Sequence, residues 1–317
     1  MYYLGVDGGG TKTAFILISE EGFVLSKEIM GTSHPDQIGL ENVEKVLREG
    51  LEQVCQKAGV NQAEIAYSVW GLPGYGENLA DEKALKKVVG EILKSDNYKC
   101  VNDVEVGWAG SLACQPGLHL VAGTGAIGFG KSPNGQTARS SGWSEVFGDE
   151  GSAYWLGRKL LQLFSKQADF RLPRTPLYRL VREYFGLTRD LDLIPLIAKA
   201  SRDETAKAAK VVYKAALAGD EHALNLYQKA ALEHSQTLQA LLKQLNFTHQ
   251  PVPASYSGGV FLAGDFILKP LKNYLKPLNI KLQEPELSPI LGAALLALDL
   301  SGTAWSKKTV FNLKESG

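Results

Sequence analysis

Residues Asp7-Gly8-Gly9-Gly10-Thr11-Lys12-Thr13 set one carboxylate, three glycines, two hydroxyls and one ammonium between the apolar runs Leu4–Val6 and Ala14–Ile18. Gly9 and Gly10 let backbone N–H groups come close to an anion, and Thr11, Lys12 and Thr13 add donors aimed at the same place. The set reads as a phosphate clamp built on a hairpin. Asp7 stands where a hydrated magnesium ion would take a carboxylate. The same composition also suits an ordinary glycine-rich reversal.

A second cluster, Gly123-Thr124-Gly125-Ala126-Ile127-Gly128-Phe129-Gly130-Lys131-Ser132, fits both the dinucleotide pattern G-x-G-x-x-G and the P-loop pattern G-x-x-x-x-G-K-[ST]. Both patterns require the glycine turn to open a helix. Here Ser132-Pro133-Asn134-Gly135 is a turn signal, so the segment reads strand, glycine turn, strand, turn. It repeats the first cluster, with Thr124 as the phosphate-facing hydroxyl.

Phosphoryl transfer also needs a base or orienting carboxylate beside the acceptor hydroxyl. Asp103 follows the apolar strand Tyr98–Asn102 and precedes a helix, which suits that role; it equally suits a helix cap. Asp149 and Glu150 precede a helix running through Leu156, Leu160 and Leu161, either as ligands or as favourable charge at a helix N-terminus. Ser257-Gly258-Gly259 reads as a strand-to-helix turn.

The elements that must position these groups recur along the chain. Strands are expected near 2–6, 14–18 and 23–29, a helix at 41–58, a strand at 65–70, a helix at 81–94 and a strand at 98–102 leading into a helix. Val43, Val46, Leu47, Leu51, Val54 and Cys55 line one face of the 41–58 helix, and Gly59 stops it. The pattern restarts at 118, with a weak third strand near 136–140, a helix at 152–165, a mostly helical insertion over about 166–246, a strand ending at 254–257, and helices near 265–275 and 289–299. Gly292 is expected to permit close helix packing. Two copies of β-β-β-α-β-α-β-α predict a duplicated α/β fold of two lobes, 1–117 and 118–317, with a nucleotide in the cleft between facing glycine hairpins.

With these motifs in place, the chain resembles the actin-like ATPase superfamily, whose lobes are ribonuclease H-like, and within it the N-acetylglucosamine kinase family of BadF/BadG/BcrA/BcrD type. The resemblance covers nearly the whole length. It rests on Gly5–Thr13 as phosphate-1, Val101–Val104 as the connecting segment, Ala122–Gly125 as phosphate-2, Ser257–Phe261 as the adenosine motif and, most specifically, the run Gly142–Trp155 as a sugar-binding segment. It implies ATP and Mg²⁺, a catalytic base at Asp103, phosphate contacts from residues 9–13 and 123–125, and an adenosine site at Gly258 and Gly259 with Ala215 near adenine. It also implies sugar contacts from His34, Gly74, Asp103, Gly142, Trp143 and Asp149, and a homodimer. His34 replaces an Asn usual in the family's sugar-reaching segment. N-acetylglucosamine, glucosamine, N-acetylmuramic acid or another hexose derivative therefore all fit, and the family suggests phosphorylation at C6.

Composition agrees with two cores: 317 residues, 44% hydrophobic and 21% charged. Thirty-four basic against 34 acidic residues give no positive field for nucleic acid. No apolar run reaches membrane-spanning length and the chain enters a strand at once, so a cytoplasmic protein is expected. Cys55, Cys100 and Cys114 lie far apart in apolar patterns and read as buried thiols. Two alternatives share the superfamily. Activating ATPases of benzoyl-CoA reductase and related dehydratases hold an iron–sulfur cluster through closely spaced cysteines, which this chain lacks. Sugar-responsive regulators add a DNA-binding segment, for which a phosphate loop starting near residue 1 leaves no space.

Overall fold

A computed structural model describes all of residues 1–317. The chain opens with β1 (Tyr2–Gly8), β2 (Thr13–Ser19) and β3 (Val24–Met30), then α1 (Pro35–Ile38), α2 (Leu40–Ala58), β4 (Ile65–Leu72), α3 (Leu79–Leu93), β5 (Tyr98–Asn102) and α4 (Asp103–Ser111). A second series follows as β6 (Gly117–Ala122), β7 (Ala126–Lys131), β8 (Thr137–Ser141) and α5 (Ala153–Ala168). Next come α6 (Pro176–Phe185), α7 (Leu193–Ile197), α8 (Arg202–Lys207), α9 (Ala209–Leu217) and α10 (Glu221–Gln244), the expected helical insertion. β9 (Val252–Ser257), α11 (Asp265–Leu275), β10 (Ile280–Leu282), α12 (Pro289–Leu300) and α13 (Lys307–Ser316) close the chain.

The two sheets have one topology. Their strand orders are β3-β2-β1-β4-β5 and β10-β9-β6-β7-β8, so each is a mixed five-stranded sheet with a hairpin-linked antiparallel side and a parallel side. The fold is therefore a duplicated α/β fold, as the repeated pattern indicates. The chain divides into Met1–His119 with Glu284–Gly317, and Leu120–Gln283. The first boundary falls close to residue 117. The second differs from the expectation of a single C-terminal lobe over 118–317, because α12 and α13 are part of the first unit.

Strand periodicity explains that return. On β1, Leu4 and Val6 face one side and join Phe15, Leu17, Trp70 and Leu72 in a core with Val43, Leu47, Leu51 and Val54 of α2 and Leu85 and Val89 of α3. Burying each such side chain stabilises the fold by roughly 1.5–3 kcal/mol. Tyr3 and Gly5 face the other side, where α12 packs on β1 and on α4. A Cβ on Gly5 would strike the backbone of Ala293 and Ala294, and one on Gly292 would strike Gly110 of α4. Gly292 thus permits the expected close packing. With nine buried residues from Ile290 to Leu298, α12 is apolar all round and needs a covered face in this unit.

Candidate active site

Three parallel strands of the first unit end together. Asp7 lies opposite Gly71, Gly71 opposite Val101, and Leu72 opposite Asn102. Asp7, the turn after Leu72 and Asp103 therefore share the carboxyl edge of β1, β4 and β5, where ligands of such sheets bind. Two strand spacings, roughly 10 Å, separate the backbones of Asp7 and Val101, and Asp103 lies just beyond Val101 on the same side. Asp7 is half-buried, and its pKa is pushed up to about 7 by desolvation and by the like charge of Asp103, against the pull of Lys12.

Beside Asp7, the β1–β2 turn closes with the Gly9 amide donating to the Lys12 carbonyl at 2.9 Å. Gly10, Thr11 and Lys12 are exposed, whereas Thr13 has no exposed surface and its buried hydroxyl has no partner. The segment after β3 is laid over this turn. Thr32 Oγ1 donates to the Gly9 carbonyl at 2.9 Å and accepts the His34 amide at 3.1 Å. A Cβ on Gly8 would lie 2.5 Å from Ser33 Oγ. His34 Nδ1 accepts the Asp36 amide at 3.3 Å and caps α1, leaving Nε2 as the ring atom that can reach a ligand.

Asp103 is not the cap of α4. Asn102 takes that role, its Oδ1 accepting the Val104 amide at 3.1 Å, while its Nδ2 donates to the Tyr75 carbonyl at 2.9 Å. Gly74, at φ 77°, sits in the turn that this bond holds. Asp103 begins the helix half-buried, and its charge is felt at Asp7.

In the second unit β7 follows the glycine turn directly, so neither helix-opening pattern applies. The Gly123 amide donates to the Gly125 carbonyl at 2.9 Å. The turn's own carbonyls serve α5: Gly123 O accepts the Ala153 amide at 2.9 Å and Thr124 O accepts Tyr154 at 3.3 Å, while Ser152 Oγ caps Trp155 at 3.0 Å. The first amides of α5 are thereby satisfied within the protein, which removes that helix end as an anion site.

Asp149 is 3% exposed. Its Oδ1 accepts the Ala126 amide at 3.4 Å and its Oδ2 pairs with Arg202 Nη2. Burial raises its pKa, against the pull of Arg202 and of the Ala126 bond. Arg202 Nε also lies 3.7 Å from Glu145, and Thr124 Oγ1 donates to Asp203 at 3.2 Å. Arg202 and Asp203 escaped the sequence reading because adjacent opposite charges after a Ser cap look like any solvated helix start. Between Ser141 and Gly151, Ser141, Gly142, Ser144, Asp149 and Gly151 all have positive φ, a density of uncommon backbone expected at functional loops. Trp143 projects from this loop, 71% exposed. A cavity of about 220 Å³ lies beneath the loop against α5, lined by Glu145, Glu150, Tyr154, Trp155, Arg158 and Lys159 among others; neither Trp143 nor Asp149 lines it. Tyr154 and Trp155 thus border that cavity while their helix packs inward through Leu156 and Leu160.

Gly258, at φ 103°, follows β9 where any Cβ would strike the carbonyl of Ala122, so the glycine serves the protein's own packing. Gly259 faces open space. Ala215, on α9, is fully buried and its carbonyl accepts the Asp220 amide at 3.0 Å.

The profile of the BadF/BadG/BcrA/BcrD ATPase family matches residues 4–297, which takes in both glycine hairpins, Asp103 and the 142–151 loop. The chain belongs to this family. Within reach of the family are an N-acetylmuramic acid/N-acetylglucosamine kinase of Clostridium acetobutylicum, 28% identical with 93% of this chain and 98% of the relative covered, and an N-acetyl-D-glucosamine kinase of Dictyostelium discoideum, 27% identical with 94% and 98% covered. A solved structure from Chromobacterium violaceum, provisionally assigned as an N-acetylglucosamine kinase, is 27% identical, covers 94% of this chain and 98% of its own, and superposes with a TM-score of 0.74. The duplicated fold is thus that of sugar kinases with the actin-like ATPase architecture.

Membership of an ATPase family implies a nucleotide and its metal ion. No group of three or more His, Cys, Asp or Glu side chains forms a protein cage. Asp7, whose charge burial and Asp103 both disfavour, instead suits Mg²⁺, which binds through one or two carboxylates with phosphate and water supplying the rest. No helix is long and apolar enough to cross a membrane.

Proposed function

We propose that this chain is an ATP-dependent kinase that phosphorylates an amino sugar, most directly N-acetylglucosamine to its 6-phosphate, or a relative such as glucosamine or N-acetylmuramic acid. The observation that carries the reading is the common carboxyl edge of β1, β4 and β5, where the glycine turn, Asp7 and Asp103 lie at the ends of neighbouring strands. The kinase names of the relatives support an amino sugar as acceptor and favour it over an activating ATPase.

In this reading the exposed Gly10, Thr11 and Lys12 hold the phosphates with the Thr124 hydroxyl, Gly9, Thr13, Gly123 and Gly125 shape the two turns that present them, and Gly258 and Gly259 border adenosine. His34, Gly74, Gly142, Trp143 and Asp149 orient the sugar, whose apolar C–H face suits the Trp143 ring. Asp103 accepts the proton of the attacking hydroxyl as its oxygen bonds the γ-phosphorus and the bond to the β-phosphate oxygen breaks, releasing ADP. Asp7 would hold Mg²⁺, which neutralises phosphate charge when bound. ATP supply argues for the cytoplasm, and the family resemblance for a homodimer.

The test is an ADP-release assay across amino sugars, muramic acid derivatives and plain hexoses, with Asp103→Asn as the control. Turnover is expected for one or more amino sugars and loss of at least about 10²-fold in the variant, with sugar binding kept. Unchanged turnover in Asp103→Asn would remove that residue from the mechanism, and no turnover with any sugar would end the reading.

A further inference from the structure

The helical insertion reaches the phosphate-2 turn through two neighbouring side chains of opposite charge. Asp203 Oδ1 accepts the Thr124 hydroxyl at 3.2 Å, and Arg202 lies over Gly125, so close that a Cβ there would stand 2.7 Å from Arg202 Nη2 and 2.9 Å from Asp149 Oδ2. The same guanidinium pairs with Asp149 and approaches Glu145 at 3.7 Å. Each group expected to serve a ligand, the Thr124 hydroxyl and the Asp149 carboxylate, is therefore engaged by this one dipeptide. The structure gives the dipeptide a fixed base, since the Ser201 hydroxyl and the Glu204 carboxylate close a capping box around it.

We infer that Arg202 and Asp203 form a latch on the phosphate-2 turn, in which a nucleotide polyphosphate displaces Asp203 from Thr124 and draws Arg202 from Asp149. The inference rests on the kinase reading and deepens it. A phosphate oxygen at Thr124 competes directly with the Asp203 carboxylate for the one hydroxyl proton, and the two anions repel each other. Arg202 has five fixed donors and matches phosphate as well as carboxylate geometry, so it can exchange one partner for the other. The exchange leaves Asp149 with only the Ala126 amide, freeing lone pairs for a sugar hydroxyl. Nucleotide occupancy would thus prepare the sugar-binding carboxylate.

The two neighbours must then act with opposite sign, which a purely structural role would not produce. Calorimetric titration of the full chain with ADP and Mg²⁺ should show Asp203→Asn binding roughly 3- to 10-fold more tightly, the range of one ordinary hydrogen bond, and Arg202→Gln roughly 10-fold or more weakly, the range of one charge-assisted hydrogen bond. Arg202→Lys, which keeps the charge, should fall between, and serves if Arg202→Gln fails to fold. In a Thr124→Val background the gain from Asp203→Asn should shrink, because the contested hydroxyl is gone. Equal or weaker binding by Asp203→Asn, or undiminished binding by both Arg202 variants, overturns the latch while turnover by the unaltered protein leaves the kinase reading standing. Failure of the unaltered protein to bind any adenine nucleotide overturns both.

Discussion

The Thr32 hydroxyl donates to the Gly9 carbonyl across 2.9 Å and takes the His34 amide at 3.1 Å. One side chain thereby ties the proposed sugar-reaching segment to the proposed phosphate turn. Thr32→Val keeps the shape and removes both bonds, at a cost of about 1–2 kcal/mol in a urea titration. It should raise KM for both ATP and the sugar, because the two loops lose a common anchor. A change in KM for one substrate alone would show that Thr32 does not couple them.

Gly258 is fixed by two independent constraints, a φ of 103° and the Ala122 carbonyl where a Cβ would stand. Gly258→Ala should therefore destabilise the protein by on the order of 2–4 kcal/mol. The check is the shift in urea midpoint at unchanged slope. A loss below about 0.5 kcal/mol would mean that the strand end moves aside freely.

Asp7 gives stability a pH signature. Its folded pKa of about 7 lies above the ordinary value of 3.8. Between those values the folded state holds a proton that the unfolded chain has lost, so this group makes stability fall as pH rises. In Asp7→Asn that contribution is absent. Without metal, the variant's stability relative to the unaltered protein should climb between pH 4 and 7 by up to about 1.4 kcal/mol per pH unit and level off above 7. A flat difference across that window would show that Asp7 is not desolvated in the folded protein.

Trp143 separates binding from folding, since 71% of it is exposed. Trp143→Ala should leave stability within about 0.5 kcal/mol. The KM for the sugar should rise by about 10-fold, the worth of one well-placed ring face, with the KM for ATP little changed. An unaltered sugar KM would take Trp143 out of the sugar site.

Asp103→Asn should leave the fold intact, because the cap of α4 is Asn102. Removing the like charge should also lower the pKa of Asp7, moving the midpoint of the pH dependence above toward the ordinary carboxylate range. An unmoved midpoint would show that the two carboxylates do not sense each other.

The sequence alone determined the repeated order of strands and helices, the two glycine hairpins and Asp103 at a strand end, because these follow from local periodicity and from residues whose backbone or charge fits few places. It showed that a helix cannot open after Gly125, since the turn signal at 132–135 is local too. The tertiary structure decided what depends on partners distant in sequence. Asn102 rather than Asp103 caps α4, α12 returns to the first unit to cover β1, Gly258 is held by Ala122, and Asp149 meets Arg202. The last pair spans 53 residues, and no local pattern marks which of many surface charges a fold will bring to a buried carboxylate. Pairing of this kind is set by how the helices of the insertion pack, which the spacing of apolar residues permits but does not specify.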